Sequence, residues 1–154
     1  MELNFTAIKK MNIQSWNPLV LVLQKLPLFE GVDILAIDSL VNACSLENYD
    51  EGSVIMSEWD KSNGQAYIII SGSVDVFIGW EKISSLGEGA IFGEYALICN
   101  EKRSATVRAT SWVQCLALKE SDIMAISDET NKLNDVLTER ITENSEANRG
   151  VFKE

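Results

Sequence analysis

Phe92-Gly93-Glu94-Tyr95-Ala96-Leu97, followed after a short gap by Arg103-Ser104-Ala105-Thr106-Val107-Arg108-Ala109, sets out the parts of an anion site in order. Gly93 lets the backbone approach a ligand closely. The stretch from Ala96 to Ile98 can open a helical turn whose N–H groups face a negative group, as phosphate chemistry requires. Arg103 supplies a planar cation able to grip two phosphate oxygens, and Glu94 supplies an acceptor for a hydroxyl such as a ribose 2′-OH. Beyond Arg103, the small or apolar Ala105, Val107 and Ala109 alternate with Thr106 and Arg108, which predicts a strand with one buried and one wetter face. Plainer readings stand beside these: Glu94 as a turn carboxylate, Arg103 as a surface cation beside Glu101, and Ser104 as a strand-entry serine.

The stretch sits in a region of short runs rich in Val, Ile, Tyr and Phe, from Leu46 to Leu118. These runs are punctuated by Asp50-Glu51-Gly52, Ser62-Asn63-Gly64, Ser71-Gly72, Gly79-Trp80 and Gly87-Glu88-Gly89. Turn signals so closely spaced predict an antiparallel sandwich or jelly roll. Upstream, Pro18 suits the first turn of a helix running toward Lys25. Asp33 suits the N-cap of a helix from Ile34 to Cys44 with Leu35, Ile37, Leu40 and Val41 as its buried stripe. Downstream, Leu133, Val136, Leu137 and Ile141 recur at spacings of three and four, predicting an amphipathic helix from about Glu129 to Ser145. The expected organisation is an N-terminal arm over 1–17, one domain over 18–146 that includes the last helix, and a frayed polar tail over 147–154. Trp112 is expected in the core, and Trp59 and Trp80 either in packing or on a partner surface.

Thirteen basic and 23 acidic residues among 154 leave a net charge of −10, which repels nucleic acid and anionic membrane, so an anionic ligand must be held by local cations and dipoles. No histidine is present, which excludes His-based acid–base catalysis and His-containing zinc sites. Cys44, Cys99 and Cys115 lie far apart in apolar surroundings, as reduced thiols of a cytoplasmic protein do, and offer no metal cage. No apolar run approaches the ~18 residues of a membrane span.

Taken together, Phe92 to Ala109 resembles the phosphate-binding cassette of cyclic-nucleotide-binding domains, the family of catabolite activator proteins, kinase regulatory subunits and cyclic-nucleotide-gated channels. The resemblance joins Phe-Gly-Glu, Ala-Leu and Arg-Ser-Ala-Thr-Val-x-Ala at the family's spacing and extends from about Leu26 to about Ile141. Gly72 after Tyr67-Ile68-Ile69-Ile70, and Leu86-Gly87-Glu88-Gly89, look like two further family turns. The chain departs from the pattern at Ser57-Glu58-Trp59-Asp60, where Trp59 replaces a commonly seen glycine.

The resemblance implies a mainly β fold with flanking helices, a double-stranded β-helix or jelly roll. It implies that Phe92, Gly93, Glu94, Tyr95, Ala96, Leu97, Arg103, Ser104 and Ala105 bind the ligand, with Leu133, Val136 and Leu137 as candidates for a lid over the base. The ligand implied is cAMP or cGMP, with no metal and no catalytic residue, and Ser104 leans toward cAMP. The partner implied is an effector protein, with a homodimer left open and no direct contact with nucleic acid or membrane. No helix-turn-helix pattern follows the last helix, an expectation against a complete transcription activator. An interaction module that keeps the fold without useful nucleotide affinity, using Trp59, Trp80 or the arm, remains the alternative, and a cupin-like enzyme is disfavoured by the absence of histidine.

Overall fold

The computed structural model describes residues 18–97, 102–126, 135–140 and 142–143. The expected arm and tail, Cys99 and Leu133 lie outside the described residues. The chain opens with a short helix, α1 (Leu19–Gln24), entered through Pro18, whose fixed φ of −55° is already helical. A 3₁₀ turn over Pro27–Phe29 follows. Helix α2 (Ile34–Ala43) starts where Asp33 accepts the Leu35 N–H at 3.1 Å, as its sequence predicts. Its buried stripe is Ala36, Ile37, Leu40 and Val41, while Leu35 is exposed, contrary to expectation. Leu35 lies about 200° around the helix from Ile37, so both cannot face the core.

Among the described residues eight strands make the body: β1 (Ser45–Tyr49), β2 (Val54–Met56), β3 (Gln65–Ser71), β4 (Val74–Ile78), β5 (Glu81–Leu86), β6 (Ile91–Phe92), β7 (Thr106–Ala109) and β8 (Val113–Lys119). They form two four-stranded sheets in the orders β1-β8-β3-β6 and β2-β7-β4-β5. Every pairing among the described residues is antiparallel, so the expected antiparallel sandwich is what the chain adopts.

Strands β3 and β8 explain how the molecule is layered. Alternate residues of each strand face opposite ways. Tyr67, Ile69, Cys115 and Ala117 pack against Val74, Val76, Val107 and Ala109 of the other sheet. Ala66, Ile68, Leu116 and Leu118 pack against Val20, Leu23, Phe29, Ile37 and Leu40 of the helical segment. Both faces are covered, which is why these two strands read as continuous apolar runs.

Helix α3 (Glu120–Ile126) follows β8 directly and buries Ile123 in the helical cluster. Helical backbone is present again at 135–140 and 142–143 (α4), within the expected last helix. Leu137 of α4 joins the same cluster, and Arg140 Nη1 donates to the Leu28 carbonyl at 2.6 Å. Trp112 corrects an expectation: it is 50% exposed, because it occupies the turn between β7 and β8, where its carbonyl rather than its ring is packed inward against Gly72. Trp59 and Trp80 are more exposed still, so neither serves the core.

Candidate anion-binding site

Arg103 anchors the site. It lies just before β7 and is only 7% exposed, although it carries a full charge. Its backbone is clamped from both sides, the Arg103 N–H donating to Asp60 O at 2.7 Å and the Trp59 N–H to Arg103 O at 2.9 Å. The guanidinium turns inward, where Nη2 donates to Asn63 Oδ1 at 2.6 Å and to Gln65 O at 2.9 Å, and Nη1 to Gly93 O at 3.4 Å. All three acceptors are uncharged. Lys82 pairs with Asp75 at 3.9 Å, and no described carboxylate lies within ion-pair distance of Arg103. Burial lowers the guanidinium from its ordinary range, with Tyr67 opposing, but an arginine this basic to begin with stays charged at neutral pH. A buried cation whose described acceptors are all neutral oxygens is suited to an anion that completes it.

Gly93 makes room for that arrangement. Its φ is +70°, a region that favours glycine, and a Cβ there would stand 3.1 Å from Arg103 Nη1. Phe92, immediately before it, stacks on Tyr67 with centroids 5.1 Å apart and an interplanar angle of 20°, fixing the end of β6 against β3. A 3₁₀ turn over Glu94–Leu97 follows. Glu94 is buried there, and Leu97 reaches the helical cluster, so the turn joins the site to α1, α2 and α4. Its geometry corrects one expectation: the Ala96 N–H is not free for a ligand but donates to Gly93 O at 3.1 Å, closing the turn. Beyond Arg103, Ser104 is exposed and Ala105 is buried between the sheets. Thr106 Oγ1 accepts the Glu58 N–H at 2.9 Å.

The structure therefore brings together Phe92, Gly93, Glu94, the backbone of Tyr95, Ala96, Leu97, Arg103, Ser104 and Ala105 in one corner of the sandwich. Of the lid candidates, Leu137 is packed in the helical cluster, Val136 is half-buried, and Leu133 lies outside the described residues. Sequence reasoning missed Asn63 and Gln65. Their signal was the Ser62-Asn63-Gly64 turn, which reads as punctuation between strands and gives no hint that it faces Arg103.

Cys44 and Cys115 stand apart from this chemistry. Burial, and to a lesser degree Asp122, pushes the Cys44 thiol up to about 12, and burial with Glu47 does the same for Cys115. Both are therefore protonated thiols at neutral pH.

Comparison with known proteins agrees with the geometry. The profile of the cyclic nucleotide-binding domain matches residues 46–130. A cAMP-dependent protein kinase regulatory subunit of Debaryomyces hansenii is 34% identical over 93 residues, covering 59% of this chain and 20% of that protein. A cGMP-dependent protein kinase of Plasmodium berghei is 28% identical over 112 residues, covering 73% of this chain and 13% of that protein. The chain thus spans a fifth or less of these relatives' length. The crystal structure of the Thermus thermophilus catabolite activator protein superposes with a TM-score of 0.68 at 25% identity, covering 81% of this chain and 61% of that one. The matched profile takes in Arg103, Gly93 and both sheets, and the chain belongs to the cyclic nucleotide-binding domain family.

Proposed function

We propose that this chain is a regulatory sensor that binds a cyclic nucleotide, cAMP in preference to cGMP, and catalyses nothing. The observation that carries the reading is Arg103, a buried cation whose described acceptors are all neutral, beside a left-handed glycine whose added Cβ would crowd the guanidinium. The cyclic phosphate completes Arg103, Glu94 accepts from the ribose hydroxyl, and Ser104 stands exposed at the entrance of β7; the preference for cAMP rests on the family resemblance, in which a serine at this place leans toward cAMP. Leu97 and Leu137 share one apolar cluster, which supports a route from the site to α4. An effector protein reads the resulting shift in the position of α4. A single domain over 18–146 acting in the cytoplasm fits this role, and no described helix is long and apolar enough to cross a membrane.

Titration calorimetry with cAMP and cGMP tests the proposal. Arg103→Ala is expected to weaken binding by about 2–5 kcal/mol, since it leaves phosphate oxygens without their charged donor. Unchanged affinity in that variant sinks the assignment of Arg103. A second reading, an interaction module without useful nucleotide affinity, is favoured by Trp59 at 72% and Trp80 at 102% exposure. Heat of binding from the wild-type chain at micromolar nucleotide decides against it.

A further inference from the structure

We infer that Asn63 is a positioning residue for Arg103, fixing which face of the guanidinium meets the ligand phosphate; this rests on the cyclic-nucleotide reading above. Asn63 sits at the centre of a small network that the turn between β2 and β3 builds under the site. Its Oδ1 accepts from Arg103 Nη2 at 2.6 Å and from the Gln65 N–H at 3.0 Å. Its Nδ2 lies 3.4 Å from Gln65 Oε1 and 3.3 Å from Tyr67 Oη. The Tyr67 hydroxyl donates in turn to Gln65 Oε1 at 3.1 Å, and the Tyr67 ring is held by its stack on Phe92. The amide is therefore pinned at both ends and cannot follow Arg103 if the arginine rotates.

The consequence for Arg103 follows from counting donors. A guanidinium has five N–H groups, two of them on Nη2. Both Nη2 hydrogens have an acceptor, Asn63 Oδ1 and the Gln65 carbonyl. Rotation of the group would break both bonds, so the N–H groups left over, on Nε and the Nη1 hydrogen not donated to Gly93 O, keep a fixed direction. A neutral amide does this without cancelling the charge, as a carboxylate in the same place would. Asn63 thus gives Arg103 a direction and leaves its attraction for an anion intact.

A double-mutant cycle on the full chain tests this, with cAMP as the titrant. Asn63→Ala is expected to weaken binding about tenfold in the presence of Arg103, within the range of couplings between side chains in contact. In an Arg103→Lys chain, whose ammonium has no face to orient, the same change is expected to alter affinity less than about twofold. Equal losses in both backgrounds, or no loss in the first, overturn the inference while leaving the cyclic-nucleotide reading in place. Failure of the wild-type chain to bind either nucleotide overturns both. Should Asn63→Ala melt the turn, side-chain NMR of the wild-type chain decides: distinct, slowly exchanging Nη2 hydrogens of Arg103 support the clamp, and freely averaged ones overturn it.

Discussion

Gly72 turns the chain between β3 and β4 at φ +93°, and a Cβ there would lie 2.2 Å from the Trp112 carbonyl oxygen. Gly72→Ala therefore meets both left-handed strain and a backbone clash, and is expected to cost about 3 kcal/mol in urea unfolding. Trp59 has the opposite problem. It adopts φ +73° with a bulky side chain that is 72% exposed. Trp59→Gly relieves about 1–2 kcal/mol of strain against roughly 0.5–1 kcal/mol of added chain entropy, so a stabilisation of up to about 1.5 kcal/mol is expected by the same measurement. A destabilised glycine variant means that the indole packs in a way its exposure does not suggest. The sequence already marked Trp59 as standing where glycine is common, and the backbone angle supplies the reason. At this scale the site was legible where it is contiguous: Gly93, Glu94 and Arg103 lie close together in the chain, and their chemical types announce an anion. Asn63 lies 40 residues before Arg103, and only the folded register of β2, β3 and β7 makes them neighbours.

At the scale of elements, β1, β3, β4 and β5 were legible because each ends at a turn with a glycine in it, a residue that makes such turns easily. Helix α3 was not. It starts at Glu120 straight after β8, with no glycine or proline between them to signal the change, and seven residues give little periodicity to detect. Leu35 was misplaced for a related reason, since a ten-residue helix leaves two apolar stripes consistent with its sequence and the neighbouring β-sheet selects one. Helix α4 is held by Leu137 in the helical cluster and by Arg140 on the Leu28 carbonyl. A surface helix takes most of its order from such contacts. Leu137→Ala is accordingly expected to cost about 2–5 kcal/mol of stability. If α4 responds to the ligand, cyclic nucleotide is expected to change amide exchange across 135–143 as well as across 92–109. A change confined to the second stretch leaves α4 out of the signal.

The whole molecule carries a charge of −10, the same sign as the ligand proposed for it. Ten charges viewed from about 15–20 Å repel a monoanion by about 2 kcal/mol in water before screening. Arg103 attracts it from contact distance, in a buried setting that salt reaches poorly. The two effects therefore separate by ionic strength. Between 0.01 and 0.15 M salt the Debye length falls from about 30 to about 8 Å, which removes most of the global repulsion and little of the local attraction. Cyclic-nucleotide affinity is expected to rise about threefold across this range, with the gain in the association rate, measured by stopped flow in chloride and acetate alike. A protein that gathers its anion by an overall positive field behaves the other way. A tenfold fall in affinity over the same range would show that cations beyond Arg103 dominate the approach, and that the site is wider than the corner formed by β3, β6 and β7.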